Sequence, residues 1–163
     1  MTVSSRALLG GIAAGSLAAI GAALVSQHVF DMQPCPWCVL QRLIFVAIGV
    51  VALIGLAWGS VLGQRVVALG VLLLASAGIT AASWHYFVAA SSTSCNLTLA
   101  DRIMNASGLP WLLPEVFEAR ASCADAAASL LGVPYEFWGL ALFVAISVAA
   151  IRLPVAQARI GGP

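Results

Sequence analysis

Charge is scarce in this sequence. Asp, Glu, Lys and Arg make up 8% of its 163 residues, against about 25% in an ordinary soluble domain. A water-soluble fold needs polar side chains to cover its surface, so a composition that is 62% hydrophobic excludes one. There is no basic cluster or tail, which removes nucleic acid as a partner. No G-x-G-x-x-G is present, which removes the usual nicotinamide and flavin fingerprint. Residue 39 is Val39, so the C-x-x-C-H of haem attachment is missing as well. What remains is an integral membrane protein, read as a single domain over 1–163.

The few charges that exist mark out the spans. Arg6 and Asp31 enclose 24 uncharged residues, Arg42 and Arg65 enclose 22, Arg65 and Asp101 enclose 35, and Glu136 and Arg152 enclose 15. A helix needs about 20 apolar residues to cross the hydrocarbon. The last run becomes long enough if Arg152 snorkels and Leu153 is included. These runs are solidly apolar and do not alternate as barrel strands would. The expected fold is all-α: a bundle of four transmembrane helices near 7–28, 41–59, 66–88 and 137–153, with loops at about 30–40 and 89–136. The first span has an apolar core longer than the ~7–15 residues of a signal peptide and no clear A-x-A site, so it is read as a retained helix.

Orientation follows from sign. Arg6, Arg65, Arg152 and Arg159 fall on one side, which carries no acid, while all six acids fall on the other. The positive-inside rule places both termini in the cytoplasm and both longer loops outside. Trp37, Trp84, Trp111 and Trp138 are then expected at the outer interface and Trp58 at the inner one.

All four cysteines, Cys35, Cys38, Cys95 and Cys123, fall in the outer loops, two in each. An oxidising compartment favours their pairing. A zinc site wants two close pairs or equivalent histidine spacing, whereas Cys95 and Cys123 are separated by 27 residues, so no metal is expected. A bridge between those two would close a loop worth roughly 3–4 kcal/mol, which makes structural stapling a serious reading of that pair. Cys35 and Cys38 differ. Their ring is too small to staple much, and C-x-x-C is the spacing of reversible dithiols.

Pro34 and Pro36 cannot extend a helix, so the second span should begin near Trp37 or Cys38. Cys38 then lies in a first turn, where unpaired amides favour a thiolate. Arg42 is four residues on, on the same face and one turn deeper. A guanidinium at that depth needs a partner: a thiolate, Asp31, a lipid phosphate or a ligand that becomes anionic. Snorkelling to headgroups is the competing reading. Electrons released by such a dithiol need an acceptor, and a quinone in the bilayer requires only a slot between helices, a thiolate and a cation.

The pieces S-Q-H-V, P-C-P-W-C, V-L-Q-R, Trp84-His85, W-L-L-P-E-V-F-E-A-R-A-S-C-A-D and P-x-E-F-W run nearly end to end through the chain. With two cysteines in each of two loops in this order, the sequence resembles the DsbB family of bacterial inner-membrane, disulfide-generating proteins. The resemblance implies periplasmic cysteine loops and a quinone acceptor, ubiquinone or menaquinone. It implies that Cys35–Cys38 is the quinone-proximal disulfide, with Cys38 forming an adduct or charge-transfer complex and Arg42 supporting it. His85 is a further quinone-site candidate. Cys95–Cys123 would be the shuttle disulfide, with Cys95 attacked by a DsbA-like thioredoxin-fold partner and a transient Cys35–Cys123 link between the loops. The energetics agree in sign with this relay, already described for the family. A partner near −120 mV cannot be reoxidised by glutathione pools at roughly −180 to −320 mV, so a more oxidising acceptor is needed.

Two further expectations concern the long loop. Ser91 to Ser94 form a small, polar approach to Cys95, and Leu109 to Phe117 form a short interfacial segment on the outer leaflet that restrains the Cys123 arm. Two rivals stand beside the family reading. One is a vitamin K epoxide reductase type, in which the loop cysteines precede the C-x-x-C rather than follow it. The other is a non-enzymatic four-span protein with two structural disulfides.

Overall fold

The computed structural model describes residues 5–58, 60–89, 98–126 and 128–158. Cys95, the Ser91–Ser94 approach and Arg159 lie outside the described residues. Four long helices dominate: α1 (Ser5–Val29), α2 (Pro36–Ala57), α3 (Val61–Trp84, continued by a π-helical turn His85–Ala89) and α7 (Tyr135–Ala158). All four are long and apolar enough to cross a membrane. Each of α1, α2, α3 and α7 packs on the next in that order, and α7 returns to α1, which closes the ring.

The ring is held by close packing of small against large. Phe45 of α2 and Phe143 of α7 stack with centroids 4.0 Å apart and planes 4° from parallel. Gly78 of α3 lies under the Phe143 ring, where a Cβ would collide with it. Leu9, Ile48, Val71 and Leu153 complete the buried interior. Leu17, Leu62, Leu69, Leu73 and Ile151 point outward and are mostly exposed, an apolar surface suited to lipid and unsuited to water.

Two helices begin five residues earlier than their charges suggested, at Pro36 and Val61 rather than 41 and 66. The reason is capping. Pro36 occupies the first helical position, where its missing N–H costs nothing, and Cys35 Sγ caps the turn by accepting from the Cys38 amide at 3.3 Å. Ser60 Oγ does the same for Gly63 at 3.0 Å. Arg42 and Arg65 therefore sit inside helices and do not mark their starts.

Between the π-turn and α7 runs a helical loop. Among the described residues its longest helix is α4 (Leu99–Ser107), which precedes the Leu109–Phe117 segment. A reciprocal capping box starts it, with the Asp101 amide donating to Thr98 Oγ1 at 3.2 Å and the Thr98 amide donating to Asp101 Oδ2 at 2.8 Å. Gly108, at φ 69°, ends it. Two single turns follow, α5 (Leu109–Leu112) and α6 (Pro114–Phe117). Then comes a two-residue hairpin, β1 (Ser129–Leu130) and β2 (Val133–Pro134), absent from the sequence reading. Its turn residues Leu131 and Gly132 both have positive φ, 55° and 78°, as the right-handed twist of a tight hairpin demands.

Trp37 does not face outward. It is buried, packed against Trp84 with centroids 6.5 Å apart. Trp58, Trp84, Trp111 and Trp138 remain exposed.

Candidate functional site: three sulfurs, a cation and a cavity

The α2 N-terminus brings Cys35 and Cys38 together because one helical turn begins between them. Their sulfurs are 2.8 Å apart. Cys35 is fully buried and Cys38 is partly so. On its other side Cys35 meets His85, whose Nε2 lies 3.3 Å from its sulfur. His85 opens the π-turn of α3, and its amide is shared between the Ala81 and Ala82 carbonyls. Such single π-turns recur at functional sites because the extra residue re-aims a side chain.

Cys123 reaches the same place from the loop. The Pro34 carbonyl accepts from the amides of both Arg120 (2.9 Å) and Ala121 (3.3 Å), docking the arm beside the C-x-x-C. A turn closed by Ser122 Oγ, which accepts from the Asp125 amide at 3.2 Å, then presents Cys123. Its sulfur lies near Cys35 and His85, close enough for both to act on its thiol. Cys35, reinforced by His85, holds the Cys123 thiol down at about 5 against the opposing effect of burial. Burial pushes the Cys35 thiol strongly up, with Cys123 and Cys38 adding to it. Cys35 is thus a protonated, buried sulfur with two sulfur neighbours, and Cys123 is a thiolate at neutral pH.

Arg42 does not snorkel. It is buried, and its guanidinium donates to Gln27 Oε1 (2.7 Å), the Val116 carbonyl (3.0 Å) and the Ala23 carbonyl (3.3 Å). Every one of these acceptors is neutral, although a buried cation normally needs a counter-charge. Asp31 instead accepts from Gln33. Through Val116, and through Gln27 donating to the Glu115 carbonyl at 3.3 Å, the end of α6 is tied to the helices. Phe117 is buried, while Trp111, Leu112 and Leu113 face outward. The Leu109–Phe117 segment is therefore docked on one side and open on the other.

Cys38, Arg42, His85 and Glu136 all line one cavity of about 460 Å³ between α1, α2 and α7, with walls from Ala18, Ala22, Phe45 and Leu142. That volume and an apolar wall with a few polar groups describe a small-molecule site. Glu136, in the first turn of α7, is buried and places Oε1 3.8 Å from His85 Nε2. The sequence reading passed over it, and over Gln27. For Glu136 there was a signal, since an acid at the entry to a membrane span is expensive unless it has a task.

The Cys35, Cys38 and His85 ligand atoms lie within 4.8 Å of one another, near enough for one soft metal ion. Linear spacing did not show this, because His85 comes from another helix. Two of the three atoms are a C-x-x-C pair that closes on itself when oxidised, and we read the group as redox sulfurs.

Comparison with known proteins settles the family. The profile described as "Disulfide bond formation protein DsbB" matches residues 5–153. The chain belongs to the DsbB family. Among curated DsbB relatives, "Disulfide bond formation protein B" of Ralstonia nicotianae is 36% identical over 160 residues, covering 98% of each chain. The protein of the same name from Herminiimonas arsenicoxydans is 33% identical over 146 residues, 89% of this chain and 92% of its own. "Disulfide bond formation protein B 1" of Pseudomonas savastanoi pv. phaseolicola is 36% identical over 133 residues, 81% and 79% respectively. This DsbB-family chain is a multi-pass membrane protein, and its matched span includes every described residue of the site.

Proposed function

We propose that the protein is a quinone-dependent dithiol oxidase: it reoxidises a DsbA-like thioredoxin-fold partner and delivers the electrons to ubiquinone or menaquinone in the bilayer. In this reading it lies in the bacterial inner membrane with both termini cytoplasmic, the cysteine end in the oxidising periplasm and the exposed Trp111–Leu113 face in the outer leaflet. One observation carries the reading. The C-x-x-C stands between a third sulfur on one side, Cys123, and a cavity on the other lined by Cys38 and Arg42.

The chemistry runs from the loop inward. A partner thiolate attacks Cys95 of a Cys95–Cys123 disulfide, and Cys123 departs as a thiolate, which His85 beside it favours. The Cys123 thiolate then attacks the Cys35 sulfur of a Cys35–Cys38 disulfide. The Cys123–Cys35 bond forms, the Cys35–Cys38 bond breaks, and Cys38 is released as a thiolate facing the cavity. The partner's second thiolate then displaces Cys95 and completes the partner's disulfide, and the Cys95 thiolate reattacks Cys123, restoring Cys95–Cys123 and freeing Cys35. The residues fit a quinone: His85 Nδ1 is buried without a hydrogen-bond partner and Arg42 lacks a carboxylate. A quinone bound there supplies a two-electron sink. Arg42 orients it and balances the negative charge that develops. Two purely structural disulfides would give each sulfur one settled partner, whereas Cys35 has two sulfur neighbours.

Anaerobic mixing of the purified protein with reduced partner and a soluble quinone tests the reading. Quinone absorbance should fall catalytically in the wild type and not in Cys38→Ser. Normal turnover by Cys38→Ser sinks the assignment, and an inert wild type sinks the proposal.

A further inference from the structure

Two buried ionisable groups line the cavity without a part in that relay: Glu136, and His85 beyond its contact with Cys35. Were Glu136 only a counter-charge, the buried guanidinium of Arg42 would be its natural partner, since both line the same cavity. Among the described residues Arg42 bonds only neutral oxygens, and the nearest cationic partner of Glu136 is His85, 3.8 Å away. A histidine, unlike an arginine, gives up its proton. The same Nε2 that faces Glu136 is 3.3 Å from the Cys35 sulfur. The other ring nitrogen, Nδ1, is buried and unbonded on a side chain that lines the cavity.

The reaction needs such a path. Restoring Cys35–Cys38 against a quinone is 2 R–SH + Q → R–S–S–R + QH2. The sulfurs lose two electrons and two protons, and the quinol gains both. Cys38 is released as a thiolate in the relay above, so one of the two quinol protons is drawn from solvent. Once Cys123 has been reclaimed by Cys95, the freed Cys35 takes up a proton, which burial favours, and that is the proton to be moved as the S–S bond closes. Water has little access there, because Cys35 and His85 are both almost fully buried.

We propose that His85 and Glu136 form the proton path of this site. His85 Nε2 takes the Cys35 proton as the Cys35 sulfur bonds to Cys38. The Glu136 carboxylate holds the imidazolium in place, and Nδ1, buried without a hydrogen-bond partner on a side chain that lines the cavity, would give a proton to an acceptor reduced there. This rests on the quinone reading. Glu136 acts through His85 and is a positioning residue. His85 is the group that touches the reacting atoms.

The test is steady-state quinone reduction by full-length protein in nanodiscs, with reduced partner, in H2O and D2O, for wild type, Glu136→Gln and Glu136→Asp. Glu136→Gln should lower kcat by about 10²-fold, the low end of general acid–base contributions. Its KM for quinone should change by less than about threefold, because no ground-state binding is removed. The solvent isotope effect on kcat should rise above that of the wild type as proton transfer becomes limiting. Glu136→Asp should recover most of kcat. Circular dichroism and a thermal midpoint establish that each variant is folded, and if Glu136→Gln does not fold, Glu136→Asp carries the test through its isotope effect. Wild-type kcat and isotope effect in the folded variants overturn the proposal. So does a loss in which KM and kcat worsen together with no rise in isotope effect, the result a packing role gives. A wild type that fails to reduce quinone fells the parent reading, a different outcome from variants that alone fail.

Discussion

The two ends of the bundle solve one structural problem with different residues. At the short turn between α2 and α3, buried Gln64 donates to the carbonyls of Gly55 (2.8 Å) and Trp58 (3.1 Å) and so closes the end of α2. At the cysteine end, buried Arg42 donates to the carbonyls of Ala23 and Val116 and to Gln27, tying the last turns of α1 to the loop. A neutral amide suffices for the first task. The second is geometrically similar, yet it is given to a full positive charge with no carboxylate beside it. Structure alone does not ask for that charge. The same end holds the buried His85–Glu136 pair and three clustered sulfurs, so the polar groups in excess of structural need are gathered where the chemistry is.

The largest effect should come from making the two ends alike. Arg42→Gln keeps hydrogen-bond donors for the Val116 carbonyl and removes the charge. Quinone KM should rise by at least about tenfold, some 1.4 kcal/mol of lost binding, while crosslinking between Cys35 and Cys123 persists because the arm stays docked. An unchanged KM would make Arg42 a tether and nothing more. A smaller effect tests the electrostatics of the arm. In reduced protein, the rate of Cys123 alkylation should follow a titration near pH 5, since the thiolate is the reactive form and Cys35 holds it low. Cys35→Ala removes the first cause of that depression, so the midpoint should move up toward the ordinary thiol range of about 8.5. A midpoint that stays put assigns the effect to His85 instead.

How far the site could be read in advance depended on how its residues are joined. Cys38 and Arg42 are four residues apart on one helix, so spacing alone placed them on a common face, with Cys35 just ahead of them. The four spans were legible because lipid leaves a charge-free run few alternatives to a helix. Charge alone put two starts five residues late, but Pro34 and Pro36 already placed that of α2 near Trp37; the start of α3, set by the Ser60 cap, was not read. His85, Gln27, Glu136 and the docking of Cys123 on the Pro34 carbonyl join segments 50 or more residues apart. Such contacts depend on ring order and on a π-turn that shifts His85, and no local pattern encodes either. Trp37 shows the same limit. Its residue type suggested an interface, but the first turn of α2 directs it inward against Trp84.

The smallest expected effect lies at the quiet end and decides whether the comparison is fair. Gln64→Leu preserves bulk and removes both donors to the last carbonyls of α2, which have no intrahelical partner of their own. Each lost hydrogen bond contributes about 1 kcal/mol net, so the thermal midpoint in detergent should fall by an amount equivalent to about 1–2 kcal/mol. The Gln64 carbonyl oxygen is already without a hydrogen-bond partner, so its removal gives back part of that loss. Quinone kcat and KM should stay at wild-type values, because Gly55 and Trp58 take no part in the cavity. If turnover shifts along with the midpoint, the turn is coupled through α2 to the C-x-x-C at its other end, and excess charge at the cysteine end could no longer be read as the mark of function against a purely structural reference.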